Sequence, residues 1–173
     1  MNKFREIYNA DIRRYGGNVG FYIRILLYLG RRASCTKIYF FKLSYKVLYR
    51  FWANIRGLEI ASLDSIGGGL YIGHAYNITI NPGAHIGANC NIHKGIVIGQ
   101  TNRGKYKGVP KIGCNVWIGI NAAIVGNITI GDDVLIAPNS FVNIDIPSHS
   151  VVFGNPCIIR PCEKATEYYI NNY

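Results

Sequence analysis

The sequence predicts a mainly β fold: a left-handed parallel β-helix of six-residue repeats, closed at its start by an N-terminal α-helical cap. Two observations carry that prediction. Ile or Val recurs every six residues in two long series, and the first 55 residues lack this repeat while showing helical periodicity.

The first series reads Ile60, Ile66, Ile72, then after a step of eight Ile80, Ile86, Ile92, Ile98. After a step of fourteen the second reads Ile112, Ile118, Ile124, Ile130, Ile136, Val142. Neither the two-residue period of a strand nor the 3.6-residue period of a helix sustains a period of six. A triangular coil does, with one hexad per side and the aliphatic residue pointing inward. The position after it is usually small, as at Gly67, Gly73, Gly87, Gly99, Gly113, Gly119 and Gly131. These glycines are expected to turn the corners. No single coil buries its own apolar face, so the coils must stack.

Residues 1–55 are rich in Tyr, Arg, Leu and Lys. Helices are expected over 3–14, 21–33 and 36–54, with Gly16-Gly17 breaking the first from the second. This cap would cover the strand edges of the first coil. The expected organisation is a cap over 1–55, a β-helix over 56–161 and a tail over 162–173 that forms a short terminal helix.

Apolar residues at 49% and charged residues at 16% exclude a disordered chain. The longest apolar run, 20–30, contains Arg24 and is too short for a bilayer span. No cleavable leader is visible, so a cytoplasmic location is expected. Five cysteines without a CxxC pair indicate neither a zinc site nor a disulfide framework. The spacings among His74, His85 and His93 do not suit a three-histidine zinc site, and no metal is expected. The net charge of +10 calls for an anionic partner, and composition alone does not choose between nucleic acid, an acidic membrane surface and a phosphate-bearing cofactor.

Chemistry is expected where the period breaks. The step of eight follows Gly73-His74-Ala75-Tyr76-Asn77, and the step of fourteen carries a polar loop with Arg103, Lys105 and Lys107. An imidazole, with an ordinary pKa of about 6.5, can serve as a general base near neutral pH. His74 is therefore the candidate base. His85 and His149 are read as structural or surface residues, and His93 as an outside candidate.

The span 59–161 resembles the hexapeptide-repeat acyltransferases, most closely the serine acetyltransferase branch. The matching pieces are Gly69-Leu70-Tyr71-Ile72-Gly73-His74, Ile80-Asn81-Pro82-Gly83-Ala84, Val109-Pro110-Lys111-Ile112-Gly113, Val116-Trp117-Ile118-Gly119 and Gly154-Asn155-Pro156. The resemblance implies that His74 is the catalytic base and that Glu59, fifteen residues earlier, orients it. It also implies acetyl-CoA as co-substrate, held between subunits of a homotrimer. The pantetheine arm would lie near Gly119-Ile120 and Ala137-Pro138, with Lys111 and Arg160 as candidates for the phosphates. No nucleic acid is implied.

In that family an Asp precedes the histidine and an Arg-His pair precedes the loop proline, both tied to holding serine. This chain has Gly73 and Gly108-Val109 there. Losing such polar contacts argues against serine. The expected acceptor is a sugar hydroxyl, such as a capsular or exopolysaccharide precursor. The alternative is serine, and a third reading is a non-catalytic scaffold. Docking of the basic cap on a membrane is compatible with either enzyme.

Overall fold

The computed structural model describes residues 3–171. Three helices open the chain, α1 (Lys3–Arg13), α2 (Phe21–Cys35) and α3 (Tyr39–Asn54), matching the three expected. Gly16 and Gly17, at φ of 58° and 83°, separate α1 from α2 in a conformation that favours glycine.

Short strands then wind into a triangular parallel β-helix. One face holds β1 (Leu58–Ile60), β3 (Ile78–Ile80), β6 (Val97–Gly99), β9 (Ala123–Val125) and β12 (Phe141–Val142). A second holds β4 (His85–Ile86), β7 (Lys111–Ile112) and β10 (Thr129–Ile130). The third holds β2 (Tyr71–Gly73), β5 (Asn91–His93), β8 (Val116–Ile118), β11 (Val134–Ile136) and β13 (Ser150–Phe153), finished by an antiparallel strand, β14 (Ile158–Pro161).

All thirteen aliphatic positions of the two series are inside, none more than 5% exposed. They form stacked columns, one of which runs Ile72, Ile92, Ile118, Ile136 and Val152. The coil also continues past Val142. Ile146 bridges Ile130 after a step of only four, and Val152 follows six residues later, both buried. The short step breaks the six-residue period, so that period alone ends one coil early.

The corners correct one expectation. Five of the ten positive-φ residues in the two corner ladders are asparagines, and none is a glycine that follows an aliphatic. One ladder runs Gly57, Asn77, Gly95, Asn121, Asn139, and another Gly69, Asn89, Asn115, Asp133, His149. Asparagine and aspartate tolerate this region through local side-chain hydrogen bonding. The repeat glycines serve close approach instead: a Cβ on Gly87 would stand 2.4 Å from the Gly113 carbonyl oxygen, and one on Gly119 2.6 Å from the Pro138 nitrogen.

The cap closes the first coil with side chains. Buried Arg31 donates to Asp11, at 2.8 and 3.1 Å, and to the carbonyls of Leu63, Ile66 and Gly67. Asp11 accepts the Leu70 amide at 2.9 Å, and the Tyr15 hydroxyl accepts the Ile72 amide at 2.7 Å. Edge groups that would otherwise be buried without partners are thereby satisfied.

The tail forms turns where a terminal helix was expected; residues 172–173 of that expectation lie outside the described residues. Asp133 explains the difference. Its carboxylate accepts the Ala165 and Thr166 amides and the Thr166 hydroxyl, and it also contacts His149 Nδ1 at 2.9 Å. The segment is pinned against the third face, where Tyr169 lies edge-on to Trp117.

Candidate active site

The step of eight becomes an enlarged corner between β2 and β3. Where it enters, paired strands are twenty residues apart, Tyr71 opposite Asn91 and Leu58 opposite Ile78, against eighteen between Val116 and Val134. His74 sits in this corner, exposed, with φ of 53°. It lies outside both left-handed ladders, three residues before the ladder member Asn77. A non-glycine residue in that region is under local strain, and here the strain coincides with the candidate base.

Strand register brings four other expected site residues to the same edge of the helix. Gly73 pairs with His93 at the end of β5, and Gly119 and Ala137 follow at the ends of β8 and β11. Ile120 and Pro138 are the next residues along, in the corner itself. The Gly119 amide donates to the Ile136 carbonyl at 2.8 Å and the Ala137 amide to Val152 at 2.8 Å. Those two amides therefore serve the coil ladder and not a bound ligand.

Glu59 lies elsewhere. It is exposed on β1 of the first face and accepts the Thr79 hydroxyl at 3.2 Å. Among the described residues no hydrogen bond or ion pair joins it to His74. It borders a cavity of about 460 Å³ together with Arg50, Asn54, Thr79, Asn81 and Pro82. Lys111 is on the second face, opposite His85 and Thr129, away from the His74 corner. Arg160 is exposed on β14 opposite Val151. The loop with Arg103, Lys105 and Lys107 is closed by paired hydrogen bonds between Thr101 and Gly108, at 3.0 and 2.9 Å, and leaves from the end of β6.

His93 emerges as the neighbour of the site. Its ring packs between Tyr71 and Trp117, with centroids 6.3 and 4.8 Å away, and among the described residues its buried Nε2 has no hydrogen-bond partner. Burial, and secondarily the charge of His74, push its imidazole down to about 4, so it is neutral at physiological pH. A signal for this was present: an insertion of two residues makes the coil twenty long, which sets residue 93 directly over residue 73. His85 is exposed on β4, and His149 is exposed in the second ladder, consistent with surface roles.

Residues 110–143 match the family model described as bacterial transferase hexapeptide (six repeats). A serine acetyltransferase of Helicobacter pylori is 35% identical over 119 residues, covering 69% of this chain and 68% of that protein. The chain belongs to the serine acetyltransferase family. Serine acetyltransferase 2 of Arabidopsis thaliana is 32% identical over 137 residues, 70% of this chain and 42% of that one. A Staphylococcus xylosus serine acetyltransferase is 40% identical over 100 residues, 58% of this chain and 46% of that one. The chain thus spans between about two fifths and two thirds of these relatives. Among solved structures, soybean serine acetyltransferase superposes with a TM-score of 0.75 at 26% identity, covering 91% of this chain and 69% of that one. The soybean enzyme complexed with serine gives the same TM-score at 25% identity, with the same coverage of both chains.

These relatives overturn the sugar acceptor, because they are consistently serine acetyltransferases. The misreading has a physical source in this family member. The absent carboxylate at Gly73 is explained by packing, since the His93 ring occupies the space a side chain there would need.

Proposed function

We propose that this chain transfers the acetyl group of acetyl-CoA to the hydroxyl of serine. The observation that carries the reading is the 35% identity with a serine acetyltransferase over 119 residues, 69% of this chain. His74 acts as general base. Its imidazole accepts the hydroxyl proton as the serine oxygen attacks the thioester carbonyl, and it returns that proton to the departing thiolate. The exposed, strained turn holds the ring at the surface, where both substrates can reach it.

Glu59 stands on the strand below Thr79, and a role in orienting His74 would require it to leave the Thr79 hydroxyl. The surface around Gly119, Ile120, Ala137 and Pro138 takes the acyl carrier, and Arg160 and Lys111 offer charge to its phosphates. Lys111 faces away from its own chain's corner, so its contribution comes from a neighbouring copy in a homotrimer. The five free thiols fit a reducing, cytoplasmic setting.

The test is thiol release from acetyl-CoA in the presence of serine. Serine-dependent release is expected. Absence of release with serine, under conditions where the protein binds acetyl-CoA, would overturn the reading.

A further inference from the structure

Between Asp11 and Glu59 the chain carries no carboxylate, while Arg24, Lys37, Arg50 and Arg56 are exposed and Lys42 and Lys46 half-buried. Within this stretch, α3 presents an apolar face to solvent. Phe40, Leu43, Val47 and Phe51 recur at three- and four-residue spacing and are 73%, 47%, 60% and 66% exposed. Leu48 and Ile55 widen the stripe, at 52% and 57%. The opposite face of α3 already packs inward through Tyr49 and Ala53, at 2% and 1% exposed. A helix with one face in the core and a second apolar face outside calls for an occupant.

We infer that α3 docks the cap on a membrane surface bearing anionic lipid. Charge decides between occupants. A second copy of this face would bring together two surfaces in which basic groups outnumber carboxylates, whereas an acidic bilayer offers both the counter-charge and an apolar layer for the phenylalanines. Asp64 and Glu59 are the nearby carboxylates; Asp64 stands by Lys42 and Lys46, and Glu59 shares a cavity with Arg50. Arg56 stacks over the Tyr22 ring at 4.5 Å, and Lys37, two residues before α3 and exposed, remains to face the lipid. No helix among the described residues is long and apolar enough to cross a membrane, so the contact is peripheral.

The experiment is flotation of the full chain with vesicles of phosphatidylcholine alone and of phosphatidylcholine with phosphatidylglycerol. Binding is expected only with phosphatidylglycerol, weakening as salt rises. The double variant Phe40→Ser, Phe51→Ser should bind at least about tenfold more weakly. Lys37→Gln should weaken binding by about fivefold. Thermal melts of both variants should match the parent, because these side chains are exposed. Failure of the parent to float at low salt would overturn the inference, as would equal flotation of the double variant. A parent that stays off the vesicles but changes oligomeric mass in the double variant would show the face to be an interface between copies instead.

Discussion

The imidazole of His93 stands where a side chain at Gly73 would begin: a Cβ on Gly73 would lie 2.3 Å from His93 Nδ1. The two residues are paired in register on adjacent coils, and Gly73 directly precedes His74. The identity of residue 73 is thus set by the ring above it.

Gly73→Ala should therefore strain the corner. Overpacking of this kind costs about 1–3 kcal/mol. Most of that loss should return when His93→Ala is added, because the obstructing ring is removed. A double-mutant cycle read by urea unfolding checks the coupling; additive losses would contradict it.

The buried imidazole of His93 also predicts a pH dependence. Its folded pKa of about 4 is below the unfolded value of about 6.5. Between those values the unfolded chain binds more protons, so stability falls as pH drops from 6.5 towards 4. His93→Leu should flatten this part of the stability profile, measured by thermal melting across that range.

The tail clasp has its own pH window. Burial raises the Asp133 carboxyl, but hydrogen bonds from Thr166 and His149 outweigh it and hold the group below the ordinary carboxylate range. The Asp133 hydrogen bond raises His149. Docking is strongest above the unfolded Asp value of about 3.9 and below the unfolded His value of about 6.5. It weakens as pH falls through the lowered Asp133 pKa and as pH rises through the raised His149 pKa. Protection of the amides of residues 165–170, relative to their intrinsic exchange at each pH, should be greatest inside that window, and Asp133→Asn should lower it throughout.

Removing Arg31 should unfasten the cap. Arg31→Ala leaves the buried Asp11 carboxylate and three coil carbonyls without their donor, a loss of about 3–5 kcal/mol. Arg31→Lys should recover only part of it, since an ammonium lacks the planar fork that reaches all four groups. Urea denaturation of the three proteins gives the ordering.

Most of the scaffold was legible in the sequence because one residue type at one period does one job. Each aliphatic from Ile60 to Val142 is inside. Ile146 and Val152 escaped because a four-residue step breaks the rule. The asparagine corners escaped because the more frequent glycines suggested themselves first. At the site, His74 was readable from the inserted residues around it. That Glu59 pairs with Thr79 and not with His74 was not readable, since its partner depends on which face each strand occupies. The acceptor was misjudged because the polar groups missing at Gly73 and Gly108-Val109 were weighed as lost serine contacts, without the ring of His93 that crowds a side chain at the first of these positions.

Removal of the serine proton by His74 is put to the test by the steady-state kinetics of His74→Ala with acetyl-CoA and serine. A fall in kcat of about 10²–10⁴-fold is expected, with the KM for acetyl-CoA little changed. Serine-dependent turnover at the parent rate in His74→Ala would contradict it.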